Sequence, residues 1–379
     1  MLKTGVNQLT THHPTVAVID LQAYRENIGR LKSLAKNSEF MAVIKTNAYG
    51  HGIVKMGMEA IQAGAQRLGV TSVEEGLLLR KNKITVPIHI LSAVMPERAA
   101  DIVAQNLTAS ISSKKLAAAI SEEAVKQNRP APVHLKINTG LHRFGIPPGE
   151  AVEFCAEVYD LPGLYWEGIY THFSSADDGE WRKTEKEFNS FKETVSRLNK
   201  HGFYFPVQHV GGSTITIERP DMHLDMVRPG IALFGYPPDA RQNDLIDLKP
   251  VMTLKTKVLL LRELPVNTPI GYGGSYVTPA NEKIAIIPIG HGDGYQRTFS
   301  NNGEMLIRGQ RVNIIGTISL DQTIVNVTHI PDVQEGDEVI IIGRQKGDEI
   351  HAREVAGWAN TIVDEVLASL LERIKRVYV

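Results

Sequence analysis

The 379-residue sequence contains one cysteine, Cys155, so no internal disulfide can form and a reducing compartment is expected. A solitary thiol in an apolar stretch reads as a small buried residue rather than a nucleophile. Long apolar runs are also missing. Runs such as "VLLL" at 258–261 and "IAII" at 284–287 fall far short of the roughly 20 residues needed to cross a bilayer. The opening "MLKTGVNQLTTHHPTV" lacks the apolar centre of a secretory leader, and a cytoplasmic protein is expected. Its His12-His13 pair reads as surface sequence rather than a metal site. Charge of one sign is absent as well: 41 Lys and Arg face 42 Asp and Glu, for a net charge of −1. That excludes the basic field required by nucleic acid or an anionic membrane, and leaves small molecules and a second copy of the chain as expected partners. No HExxH, paired CxxC or GxSxG occurs, which removes the metalloprotease, zinc-ribbon and serine-hydrolase readings; no metal is expected.

What is present is ordinary globular material, 42% apolar and 22% charged, long enough for two domains. From about residue 40 to 235, short apolar runs alternate with helical patterns: "FMAVI", "RLGV", "VPIHIL", "LTASI", "VHLKI", "LYWEGIYTHF", "PVQHV" and "LDMVRPGIALFGY". Ser72 and Glu75 form a capping-box pattern before one helix, and Phe188, Phe191, Val195 and Leu198 share a face of another. Eight β/α repeats predict an α/β fold, a parallel (β/α)8 TIM barrel, over 1–244. After Pro238 the pattern changes to strands separated by Gly, Pro and Asn turns, with one long helix near the end, "REVAGWANTIVDEVLASLLERI". This predicts a mainly β domain over 245–379, to which the early strand "PTVAVID" can belong.

Reactive groups of such barrels sit at the carboxyl ends of the strands. Lys45 follows the first strand, Arg143 lies in the loop after the fifth, His172 ends the sixth, Ser213 follows the seventh, and Arg228 falls within the eighth. "HVGGSTIT" (209–216) reads equally as an anion nest for phosphate or as a plain tight turn. "RPG" (228–230) adds a glycine amide on the same rim, whereas "GYGGSY" (271–276) precedes no helix and is a poor dinucleotide fingerprint. A lysine desolvated at a strand end beside a phosphate cup suits a Schiff base with pyridoxal phosphate.

Five ordered motifs then resemble those of the alanine racemase family, the fold-type III pyridoxal-phosphate enzymes, over nearly the whole chain: "AVIKTNAYGHG", "NTGLHRFGI", "GIYTHFSSAD", "MVRPGIALFG" and "IGYGGSYV". The resemblance implies pyridoxal 5'-phosphate on Lys45, with Lys45 and Tyr272 exchanging the α-proton on opposite faces and Tyr272 supplied by the other subunit of a head-to-tail homodimer. It implies Arg228 opposite the pyridine nitrogen, His172 between Arg228 and Tyr272, and His209 as a second neighbour of Arg228. Tyr49, Ser213 and the amides of Gly230 and Ile231 would hold phosphate. Arg143, with the backbone of Leu320, would receive the substrate carboxylate. Lys136 matches a lysine that some members carry as a carbamate supporting that arginine, and Asp321 an aspartate near the entrance. The implied activity is interconversion of L- and D-alanine, supplying D-amino acid for peptidoglycan.

Several positions depart from the family pattern. Asp364 replaces a tyrosine beside phosphate and substrate methyl group, His291 the tyrosine of "GYADG", Thr317 an arginine, Leu320 a methionine, Gly212 an asparagine, and Asn138 an aspartate. These changes raise a racemase of broader or shifted specificity, toward serine or a basic amino acid, as an alternative. A fold-type III decarboxylase is a further reading, opposed by "MVRPG", where such enzymes place glutamate. A non-catalytic cofactor-binding protein could dispense with Tyr272 and Arg143.

Overall fold

The computed structural model describes residues 13–379, so His12 and the residues before it lie outside the described chain. The chain divides into two compact units, Asp20–Val251 and Met252–Val379, the latter joined by the described residues up to Ile19. The division falls a few residues beyond the expected boundary at 244.

In the first unit eight parallel strands follow one another round a barrel: Glu39–Val43, Arg67–Val70, Ile88–Ile90, Thr108–Ile111, Ala131–Lys136, Leu164–Tyr170, Val207–His209 and Met226–Val227. The last pairs with the first, Phe40 opposite Val227. Seventh and eighth are linked by the Asp225 amide to Gln208 O (3.1 Å) and the Arg228 amide to Gly211 O (3.0 Å). These strands are nearly all buried, because helices cover a parallel sheet outside and side chains fill it inside. The eighth is much shorter than "LDMVRPGIALFGY" suggests. After Val227 the chain turns into the 3-10 helix Ile231–Phe234, since Pro229 donates no hydrogen bond to a ladder. Arg228 therefore follows the strand instead of lying in it, and His172 stands just beyond Tyr170.

The helices follow their sequence signals. In Trp181–Lys200, Phe188, Phe191, Val195 and Leu198 are all buried, each contributing about 1.5–3 kcal/mol of apolar burial. Ser72 caps Val73–Lys81 by accepting from the Glu75 amide at 3.1 Å. Glu75 does not complete the capping box: its carboxylate accepts from the amides of Thr71 (3.0 Å) and Asn47 (3.1 Å).

The second unit is mainly β. Val16–Ile19 runs antiparallel to Met252–Lys257 and parallel to the C-terminal strand Lys375–Tyr378 within a seven-stranded sheet. "VMTLKTKVLLLREL" is two strands in different sheets: Leu260–Leu264 joins Glu282–Ile287 and Thr323–Asn326 in a three-stranded sheet. The break comes at Val258, whose amide bonds to Asp337 O at 2.9 Å. Glu304–Ile307 and Gln310–Asn313 form a hairpin turning at Arg308 (φ 54°) and Gly309 (φ 80°), the mirror-image turn that matches strand twist. The expected long C-terminal helix is also two, Ala352–Trp358 and Val363–Ala368, separated at Asn360, which takes a left-handed φ of 52°. No helix among the described residues is long and apolar enough to cross a membrane.

Candidate active site

Lys45 opens an unusual segment. Thr46, Asn47, Ala48 and Tyr49 all have φ between 50° and 54°, one turn of left-handed helix built from L-residues. At about 1–2 kcal/mol per residue, such a turn costs roughly 4–8 kcal/mol and persists only when its surroundings hold it. They do so here. The Ala48 amide bonds to Ile44 O (2.9 Å), Gly50 to Thr46 O (3.1 Å) and Gly52 to Asn47 O (2.9 Å). The Asn47 side chain accepts from the Ile53 amide at 2.8 Å, and His51 Nδ1, facing the carbonyls of Ala48 (3.0 Å) and Tyr49 (2.9 Å), must carry the proton.

The turn swings the Tyr49 ring back toward Lys45, whose Nζ lies 5.9 Å from its centroid, and packs it on Phe234 at 5.1 Å. It also brings the Tyr49 hydroxyl into the space that a Cβ on Gly230 would fill. Ser213 Oγ accepts from the amides of Gly230 (3.0 Å) and Ala232 (3.4 Å). Tyr49, Ser213, Gly230 and the start of the helix at Ile231 thus converge from three chain segments into a small donor-rich cradle, the fit a phosphate requires.

Arg228 is buried and touches only neutral acceptors: Thr171 O (2.9 Å), Val210 O (3.1 Å), His209 Nδ1 (2.8 Å) and, at 3.4 Å, His172 Nδ1. Burial lowers its pKa to about 10, so it remains a cation at neutral pH. A guanidinium only donates, so both histidines offer it an unprotonated Nδ1. Burial, then the Arg228 charge, holds the His172 and His209 pKa values well below the ordinary range, and both are neutral.

Lys136 is buried with its Nζ 4.9 Å from the Tyr170 ring centroid and 5.6 Å from that of Phe144, over which Arg143 also lies at 5.8 Å. Burial first, then Arg228 and Arg143, pushes its pKa far down, favouring a neutral amine. Asn138 binds the other end of the arginine loop, accepting from the His142 amide at 2.9 Å. Gly212 leaves space beside His172, 3.4 Å from where its Cβ would stand. Cys155 is buried outside this constellation, its pKa pushed up to about 12, consistent with an inert thiol.

The remaining sequence-derived residues belong to the β unit. Tyr272 stands on the turn Tyr272–Gly274 and is 73% exposed. Thr317 Oγ1 donates to its carbonyl (3.2 Å) and also contacts Ser275 Oγ (3.1 Å), so Thr317 braces the tyrosine turn. Leu320 is 58% exposed beside Asp321, and its carbonyl accepts from the Gly292 amide at 2.7 Å, next to His291. Asp364 is half-buried in the first turn of Val363–Ala368.

Apart from His209, the histidines that fill the barrel interior belong to no motif singled out in the sequence. His89, His134 and His209, on the third, fifth and seventh strands, are fully or almost fully buried, with ligating atoms within 4.8 Å of one another. Ser110 links Tyr170 (2.6 Å) to His89 (3.0 Å), while Glu167 contacts His134 at 3.0 Å. The one trace of them in the sequence is a polar residue inside an apolar strand, as in "VPIHIL" and "VHLKI".

Family models for the alanine racemase N-terminal and C-terminal domains match residues 19–238 and 251–378. An alanine racemase of Halothermothrix orenii is 39% identical over 366 residues, covering 96% of this chain and 97% of its own. The solved alanine racemase of Clostridium difficile 630 superposes with a TM-score of 0.92 at 34% identity, covering 97% and 96% of the two chains. That of Bartonella henselae, solved with covalently bound pyridoxal phosphate, gives a TM-score of 0.87 at 27% identity, with coverage of 97% and 99%. The chain belongs to the alanine racemase family of pyridoxal-phosphate-dependent isomerases.

Proposed function

We propose that the chain interconverts L- and D-alanine by a two-base mechanism, with Lys45 and Tyr272 on opposite faces of the substrate α-carbon. The observation that carries the barrel half of this reading is the strained turn at Lys45. It brings the Tyr49 hydroxyl against Gly230 of the Ser213–Gly230 cradle and the Tyr49 ring within 5.9 Å of the Lys45 amine, with Lys45 and Arg228 both following barrel strands. When bound there, pyridoxal phosphate supplies an electron sink that acidifies the substrate's α-hydrogen. The chain's own groups do the rest. Tyr49, Ser213, Gly230 and Ile231 bind phosphate, and Lys45 holds the cofactor and moves the proton on one face. Arg143, with the backbone of Leu320 and with Lys136 behind it, orients the substrate carboxylate, while Asp321 and Asp364 line the approach. Arg228, a permanent donor, keeps the pyridine nitrogen from gaining a proton and limits side reactions. His172 accepts from Arg228 through Nδ1, which leaves its Nε2–H to face Tyr272, and His209 supports Arg228 from below.

Tyr272 is three-quarters exposed in its own chain, whereas a catalytic base works in shelter from water. This supports completion of each site by the second subunit of a head-to-tail homodimer. The D-alanine produced serves peptidoglycan synthesis in the cytoplasm. A shift toward serine or basic amino acids through Asp364 is not favoured, because relatives matching nearly the whole chain are alanine racemases. Nor is a decarboxylase, given Arg228. The test is loss of optical rotation from L-alanine, compared with L-serine, L-lysine and L-arginine, with Lys45→Ala as control. Alanine should be fastest and Lys45→Ala inactive; equal or faster turnover of another substrate, or an active Lys45→Ala, overturns the reading.

A further inference from the structure

The histidines inside the barrel form a hydrogen-bonded line whose direction can be deduced. Arg228 donates to His209 Nδ1 (2.8 Å), His209 Nε2 lies 2.8 Å from His134 Nδ1, and His134 Nε2 lies 3.0 Å from Glu167 Oε2. Because Arg228 can only donate, His209 Nδ1 carries no proton; a neutral imidazole then has its proton on Nε2 and gives it to His134 Nδ1. His134 in turn has its proton on Nε2 and gives it to Glu167. The opposite tautomer at His134 would leave His209 accepting at both nitrogens, an imidazolate, and a cationic His209 would point an N–H at Arg228. Only one arrangement satisfies both ends.

The acceptor end is built for this task. Arg67 Nη1 lies 2.8 Å from the same Glu167 oxygen, while its Nε is 2.6 Å from Glu39. Between the fifth and sixth strands the register shifts: Val133 pairs with Trp166 but His134 with Gly168, leaving Glu167 as the extra residue of a bulge. Bulges re-aim side chains. Gly168 supplies the remaining space, for a Cβ there would lie 2.6 Å from the His134 ring. A glycine and a bulge in the middle of a barrel strand weaken its packing, and here both serve the imidazole.

We propose that Glu167 is a positioning residue: through His134 and His209 it keeps the nitrogen facing Arg228 unprotonated, and so fixes the guanidinium of Arg228 at the cofactor site. Its consequence for turnover rests on Arg228 facing the cofactor; the proton positions do not. They are read from two-bond 1H–15N correlations of histidine-labelled protein, with and without pyridoxal phosphate, near pH 8. Both His134 and His209 should be neutral with the proton on Nε2 in either form. A proton on Nδ1 of either ring, or on all four nitrogens, overturns the assignment in the unmutated chain. In Glu167→Gln, whose amide can donate to His134 as well as accept, a second tautomer should appear. With it kcat should fall about 10–100-fold, the usual cost of removing a group that orients a functional residue, while KM for alanine stays nearly unchanged. Wild-type tautomers together with wild-type kcat would refute the role of Glu167. If the racemase reading itself fails, the unmutated chain shows no turnover, while the spectrum of the cofactor-free protein still reports the line of protons.

Discussion

Glu75→Ala should loosen the Lys45 turn without touching a reacting group. The carboxylate accepts from the Asn47 amide at 3.1 Å, at an exposed edge where water can replace it, and from the half-buried Thr71 amide at 3.0 Å. The first loss is worth about 0.5–1 kcal/mol and the second, to a charged acceptor, about 1.5–2 kcal/mol. The helix start survives because Ser72 still accepts from residue 75. A total of about 2–3 kcal/mol, set against the roughly 4–8 kcal/mol of left-handed strain in residues 46–49, is enough to let the turn relax. At about 2–4 °C per kcal/mol for a domain of this size, cofactor-free protein should melt about 4–12 °C lower. If half of that energy had been preorganising the site, pyridoxal phosphate should bind about tenfold more weakly by absorbance titration. Glu74→Ala is the control: its partner is Arg98 in an exposed pair, which water and salt screen, so its loss should barely move the melting temperature. If Glu75→Ala melts and binds cofactor like Glu74→Ala, the turn is held by something else and this reasoning fails.

Gly230→Ala places a methyl group against the Tyr49 hydroxyl and should weaken cofactor binding at least about tenfold with little change in melting; unchanged binding would remove the cradle. Tyr272→Phe should lower turnover about 10²–10⁴-fold. Mixed with Lys45→Ala subunits under conditions that exchange chains, it should recover activity through hybrid dimers, which a site complete within one chain would not. Stability should fall with acid in two stages. His89, His172 and His209 have pKa values well below the ordinary value and His134 below it, chiefly through burial, so the unfolded chain binds protons that the native one does not. Stability is therefore lost as pH falls below about 6.5, by up to about 1.4 kcal/mol per pH unit for each histidine. Glu167, whose pKa is lowered by His134 and Arg67 against the cost of burial, adds its loss only below about 4.5. Melting that is flat from pH 7 to 5 would contradict neutral buried histidines.

How much could be seen in advance depended on which side of a strand carried the signal. Lys45, His172, Ser213 and Arg228 follow apolar runs, and a charged or hydroxyl residue at such an edge is visible in one dimension. The Phe188–Leu198 stripe was visible because a helix on a barrel has one wet face. His134 and Glu167 were hidden, because a parallel barrel strand is buried on both faces and its residues carry no alternation to mark the interior. The bulge at Glu167 was invisible because it is a property of pairing, not of either strand. "LDMVRPGIALFGY" looks like a long strand by its apolar content, yet the strand stops at Val227, because Pro229 has no N–H to continue the ladder and the chain turns into the 3-10 helix at Ile231. The long C-terminal helix fails at Asn360, a residue tolerant of the left-handed turn that separates its two halves.

The central claim is that Lys45 is the residue to which the cofactor is attached. Borohydride reduction of protein reconstituted with pyridoxal phosphate, followed by proteolysis and peptide mass spectrometry, tests it directly. The account predicts a stable pyridoxyl adduct on Lys45 alone, abolished in Lys45→Ala; an unlabelled Lys45, or an adduct at Lys136 or another lysine instead, contradicts it.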